Sequence, residues 1–227
     1  MSIAIRAAKG EAEILIYDGI GADFWGDGVT AKRFVQDLKD LGSVSNLTVR
    51  LNSGGGDVFD GIAIYEAIAR HPAKKTVVVD GLAASIASVI MCAGDEIKIA
   101  AAGFVMIHNA WSFAMGDARE LRRKADLLDS VSGQIASVYM GRTNNKAKKV
   151  QEWMDAETWF DADSAIAAGF ADRKTDEAMK VAASLDVSRF RNMPAALRAA
   201  MQTNTRKPPA ATPRLDALAA RVAAHRA

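Results

Sequence analysis

Cysteine is nearly absent from this 227-residue sequence: Cys92 stands alone, so neither a disulfide framework nor a multi-cysteine zinc site is available. Histidine is almost as scarce, at three residues, His71, His108 and His225. There is also no H-E-x-x-H or Walker pattern, which leaves metal-dependent and nucleotide hydrolysis poorly provided for. Neither a metal nor an organic cofactor is expected. No apolar run approaches the roughly 20 residues needed to cross a bilayer. The N-terminal MSIAIRAAKGEAE is too short in apolar residues for a secretory signal, so a cytoplasmic protein without membrane contact is expected. Cys92, inside the apolar run IASVIMCAG, reads as a buried structural thiol.

What is present is the balance of a globular protein, 50% hydrophobic and 25% charged, and its charge is divided unevenly. Residues 187–227 hold eight Lys or Arg and one Asp, leaving residues 1–186 with 21 basic and 26 acidic residues. The expected organisation is one catalytic domain over 1–186, followed by a basic Ala/Arg/Pro-rich tail, partly helical or disordered. Pro208, Pro209 and Pro213 break any continuous helix there.

Strand and helix patterns alternate through the first part. EILIYDGI (13–20), NLTVRLNS (46–53), KTVVVD, EIKIA and FVMIH have strand composition. TAKRFVQDLKDL (30–41), a segment from Val58, SIASVIMCAG and a long stretch from Asp117 have helical patterning. In the last, Leu121, Ala125, Leu128, Val131 and Ile135 are expected on one apolar side. Strands separated by crossover helices predict an α/β domain with much parallel pairing.

Three segments carry candidate chemistry. LNSGGGDVFDG runs a strand into three glycines before a helix, which suits a tight turn or backbone N–H groups aimed at developing negative charge. In DGLAASIASVIMCAGD, Ser85 falls where a helix should start, either as an N-cap or as a nucleophile with small neighbours leaving room for a carbonyl. Ser88, one turn on, reads as a packed core serine. In FVMIHNAW, His108 ends a short strand and is the best-placed general base, since His71 precedes a proline and His225 lies in the tail. A carboxylate should orient it, and WMDAETWFDADSAIAAGFAD offers Asp155, Glu157, Asp161 and Asp163, of which Asp163 reads as a helix cap.

In this order the segments resemble the Clp protease proteolytic subunit, and especially the Clp-like peptidases encoded with the head genes of tailed phages. The family pattern N-S-P-G-G, G-x-A-A-S and V-M-I-H appears as Asn52-Ser53-Gly54-Gly55-Gly56, Gly81-Leu82-Ala83-Ala84-Ser85 and Val105-Met106-Ile107-His108. The resemblance implies a layered fold of repeated strand-strand-helix units, as in Clp and crotonase proteins. It implies Ser85 as nucleophile, His108 as base, and the N–H groups of Gly56 and Ile86 as oxyanion hole. Aligning Ala165 and Gly169 with the closing A-x-x-x-G helix puts the acid on Glu157, with Asp155 in reserve. Gly54 stands where the family has proline. The implied activity is endopeptidase cleavage in phage head maturation, acting on scaffold or capsid precursors rather than with an ATP-driven unfoldase. The implied assembly is a homo-oligomer of heptameric rings. The alternatives are a crotonase-like acyl-coenzyme A enzyme and a catalytically weak scaffold protein on the same fold.

Overall fold

A computed structural model describes residues 5–8, 10–22, 28–175, 190–195, 197 and 198. The chain divides into two compact units, Met1–Asn192 and Met193–Ala227. Apart from residues 190–195, 197 and 198, the expected tail lies outside the described residues, as does His225.

The strands are β1 (Ile5–Ala8), β2 (Glu11–Ile16), β3 (Asn46–Ser53), β4 (Lys74–Ala84), β5 (Glu96–Ala100), β6 (Phe104–Ile107), β7 (Thr158–Asp161) and β8 (Arg173–Thr175). The helices are α1 (Ala31–Asp40), α2 (Val58–Ala69), α3 (Ile86–Met91), α4 (Ala118–Thr143), α5 (Ala147–Asp155) and α6 (Ala162–Ala167). Among the described residues the strands form one sheet in the order β1-β2-β3-β4-β5-β8, with β6 beside β4 and β7 beside β6. Pairing is parallel from β2 to β8 and between β4 and β6, and antiparallel at β1–β2 and β6–β7. The fold is the expected mixed α/β class. Helical crossovers bring successive parallel strands together, which is why the strands read as apolar runs rather than strict alternations.

One irregularity shapes the site. β3 and β4 pair as Leu51↔Val79 but then as Ser53↔Ala83, so β4 carries two extra residues over that step. The buried Asn52 spans the gap, its Oδ1 accepting the Leu82 N–H at 3.1 Å. Beyond this bulge β4 changes neighbour, from β5 at Thr76–Val79 to β6 at Leu82–Ala84. The expected strand KTVVVD therefore continues through Gly81-Leu82-Ala83-Ala84, pairing with β6.

Helix starts are fixed by local caps. Asp57 accepts the N–H groups of Phe59 and Asp60 at 2.9 Å, opening α2. Asp117 and Glu120 form a reciprocal capping box that opens α4. At α6 the cap is Asp161, accepting from Ser164 N at 2.9 Å, and not Asp163, which lies in the first turn. The long helix also differs from expectation. Val131 and Ile135 are buried, whereas Leu121 is 44% exposed and Ala125 is exposed too. The first turns of α4 find no packing among the described residues, and helical periodicity alone carries no information about where a packing surface ends.

One apolar core unites Ile14, Ile16, Val49, Leu51, Val77, Val79, Ile97 and Ile99 from the sheet with Phe34, Ile64, Ile68, Ile90 and Met91 from the helices. No helix among the described residues is long and apolar enough to cross a membrane.

Candidate active site

Ser85 sits at the junction of β4 and α3 with φ 56° and ψ −130°. A residue with a Cβ seldom adopts positive φ, and backbone strain of this kind concentrates at functional positions. The side chain makes no capping hydrogen bond to α3, so the N-cap reading of this serine fails. Its Oγ lies instead 2.7 Å from His108 Nε2. The backbone explains the meeting: Ala84 pairs with Met106 in β4–β6, and Ser85 N–H donates to the Met106 carbonyl at 2.9 Å. His108 follows the end of β6, next to the serine at the end of β4.

The support behind Ser85 is polar and buried. Ser88 Oγ donates to the Ser85 carbonyl at 2.5 Å and lies 2.7 Å from the Tyr139 hydroxyl on α4. Ser88 is thus the packed core serine expected, with a structural task that sequence could not assign. Cys92 Sγ donates to the Ser88 carbonyl at 3.2 Å, and burial pushes its thiol up to about 12, although the residue as a whole keeps some exposure. A thiol so placed is a poor nucleophile.

The glycine run lies against the serine. A Cβ on Gly55 would stand 2.7 Å from both Ala84 O and Ser85 Cβ, so only glycine permits this approach at φ 87°. A Cβ on Gly56 would fall 2.0 Å from Ile20 O. Ser53 holds the turn from below, donating to Asp18 O at 2.6 Å and accepting Gly55 N–H at 3.2 Å. Gly61 in α2 is a further requirement that no local pattern signals: its missing Cβ makes room for the Ile86 side chain, whose Cγ1 would lie 2.1 Å away. Gly56, Ile86, Ser85 and His108 line one cavity, closed on the α4 side by Leu127, Leu128, Val131 and Ile135.

The two candidate acids lie on the other side of His108, lining a second cavity with it. Asp155 accepts from Asn109 Nδ2 and Gln151 Nε2, both at 2.7 Å, and these hydrogen bonds hold its carboxyl below the usual range. Glu157 follows the C-cap of α5 at φ 48°, the left-handed position where helices favour glycine. Its Oε1 accepts the Asn192 N–H at 2.7 Å. His71 is structural, its Nδ1 accepting the Ala73 N–H at 3.2 Å.

A strained serine in contact with a histidine, beside a glycine turn and an apolar cleft, is equipped for acyl transfer. The model of the Clp protease family matches residues 11–177. The chain belongs to the Clp protease family. Relatives include the ATP-dependent Clp protease proteolytic subunit 3 of Rhodococcus jostii (strain RHA1), 28% identical over 161 residues covering 69% of this chain and 80% of that protein. The proteolytic subunit 1 of Synechococcus sp. (strain CC9902) is 28% identical over 184 residues, 76% and 93% of the two chains. The subunit 2 of Thermobifida fusca (strain YX) is 30% identical over 151 residues, 64% and 74%. This Clp-family chain is a serine-type peptidase. That membership favours peptide hydrolysis over the acyl-coenzyme A and scaffold alternatives.

Proposed function

We propose that this chain is a serine endopeptidase in which Ser85 is the nucleophile, His108 the general base and Glu157 the acid that orients the imidazole. The observation that carries it is the 2.7 Å contact between Ser85 Oγ and His108 Nε2. Ser85 Oγ attacks the scissile carbonyl carbon while its proton passes to His108 Nε2. The resulting oxyanion accepts hydrogen bonds from the N–H groups of Gly56 and Ile86, each such donor contributing about 10² to 10³ in rate. Collapse breaks the C–N bond, the amine leaves with the proton held by His108, and water then hydrolyses the acyl-enzyme on Ser85.

Glu157 is favoured over Asp155 by the resemblance, which aligns it with the family's acid; in the structure each carboxylate has donors on one oxygen, Asn109 and Gln151 on Asp155 Oδ1 and Asn192 on Glu157 Oε1. A glutamate at a left-handed position also costs stability that glycine would not, which fits a side chain kept for another purpose. In this reading the peptidase domain spans 1–186, the basic extension 187–227 follows it, and residues 190–192 return to the site. The chain works in the cytoplasm as a ring-forming homo-oligomer, heptameric by resemblance; the exposed apolar residues Leu121 and Leu127 on α4 are consistent with burial in an assembly.

The substrates proposed are scaffold or capsid precursors in phage head maturation. The support is the resemblance in motif order to the phage-encoded Clp-like peptidases alone; the relatives named above are ATP-dependent Clp subunits and add nothing to it.

Fluorophosphonate labelling of wild type, Ser85→Ala, Ser88→Ala and His108→Ala tests the mechanism. An adduct mapped to Ser85, lost without Ser85 or His108 and kept without Ser88, is expected; no adduct on the folded wild type would overturn it. Cleavage of a scaffold protein without any ATPase supports the maturation role, whereas cleavage only with an ATP-driven unfoldase would replace it by coupled degradation.

A further inference from the structure

The peptidase reading leaves one buried contact unused. Phe190 is 5% exposed, and its ring centroid lies 5.8 Å from that of His108, at 75° between planes. The same ring meets Trp159 edge-on at 5.6 Å and 78°. Trp159 pairs with Met106 across β6–β7, so Phe190 rests against the strand pair that ends in the imidazole. Two residues further on, Asn192 donates its N–H to Glu157 Oε1 at 2.7 Å and its Nδ2 to Ala156 O at 2.8 Å.

A histidine at a strand end needs an outside contact to hold its ring, because the terminal torsion of imidazole is broad. Edge-to-face packing supplies a directional one. A carboxylate on a surface turn likewise points where its donors hold it. Phe190 and Asn192 act on the two residues assigned as base and orienting acid, from a segment of three residues that lies beyond the 11–177 family match.

We propose that Phe190 and Asn192 are positioning residues for catalysis, the Phe190 ring holding the His108 imidazole toward Ser85 and the Asn192 N–H holding the Glu157 carboxylate. The inference rests on the peptidase reading with His108 as base and Glu157 as acid. It makes the start of the C-terminal extension part of the working site.

The test measures the rate of fluorophosphonate labelling of Ser85 in the full chain, with thermal unfolding as control. Phe190→Ala and Asn192→Pro, which removes the N–H donor, should each slow labelling about tenfold or more, since small misplacements of reacting groups cost up to about 10²-fold. Phe190→Tyr should restore the wild-type rate. Phe190→Leu, which keeps apolar volume without a ring, should fold yet label slowly; it decides the matter if Phe190→Ala unfolds. Wild-type rates in folded Phe190→Leu and Phe190→Ala would overturn the positioning role while leaving Ser85 and His108 in place. An unlabelled wild type would overturn the peptidase reading, and the positioning role with it.

Discussion

Ser85 donates its backbone N–H to the carbonyl of Met106 at 2.9 Å, and this bond continues the β4–β6 ladder one step past its last strand pair. Strand register thereby brings together two residues 23 apart, Ser85 and His108, at hydrogen-bonding distance. The Ser85–His108 contact is thus built on sheet backbone.

The glycine turn should tolerate no side chain at its centre. Gly55→Ala adds a methyl 2.7 Å from Ala84 O and Ser85 Cβ at a positive φ, so the turn or the serine must move. Labelling of Ser85 should fall by at least about 10²-fold in a chain that still folds. Gly42→Ala, in open space at φ 66°, is the control for backbone strain alone and should keep the labelling rate.

The proposed orienting acid, Glu157, can be distinguished from Asp155 by substitution. Glu157→Gln should lower kcat by about 10²- to 10⁴-fold, the range expected when the orienting acid of a triad is neutralised. Asp155→Asn should stay within about tenfold of wild type if the acid is Glu157, as the resemblance implies. Steady-state peptide hydrolysis distinguishes the two, and the reverse ranking would move the acid to Asp155.

Beneath the site, Arg50 pairs with Asp80 in the core, their side chains 4% and 0% exposed. Arg50 Nε donates to Asp80 Oδ2 at 2.8 Å, and the Tyr17 hydroxyl donates to the same oxygen at 2.5 Å. Burial and then Asp80 raise the Tyr17 pKa. Asp80→Ala removes the close partner of a buried guanidinium, which keeps its longer contact to Glu13 Oε2 at 3.9 Å, and should cost about 3 kcal/mol in urea unfolding. The double variant Arg50→Met, Asp80→Leu should recover much of that loss.

Acid should destabilise the fold from below the ordinary carboxylate range. Asp95 is held low first by the Lys75 N–H, Glu96 by Arg173, Asp155 by Gln151 and Asn109, and Asp161 by Ser164. A depressed folded pKa contributes stability that is present above the unfolded value of about 4 and is lost as pH falls through the folded one. Tm should therefore fall as pH drops below about 4, and Asp95→Asn should flatten that slope. These groups lie near the surface, so each contribution is small.

Much of this was legible because it is local. β3 and β5 have the bounds that strand composition indicates, α2 starts at Val58 as its apolar pattern indicates, and His108 stands out through scarcity and Ser85 through motif order. β1, β7 and β8 have only three or four residues each and depend on a neighbouring strand, whereas α5 carries an amphipathic pattern of its own, with Val150 and Met154 buried, that the strand and helix patterns above leave out. Asp161 and Asp163 both precede the same apolar turn, so sequence points equally to either as the cap, and only the bond from Ser164 N to Asp161 decides between them.

The amino-acid sequence by itself determined the α/β alternation, the Clp-type motif order and the identities of serine and histidine, since these follow from residue type and near-neighbour spacing. Tertiary structure alone decided how they meet. The β4 bulge, the change of neighbour from β5 to β6 and the return of Phe190 to His108 are relations between residues far apart in the chain. Packing sets such relations, and no local pattern encodes them.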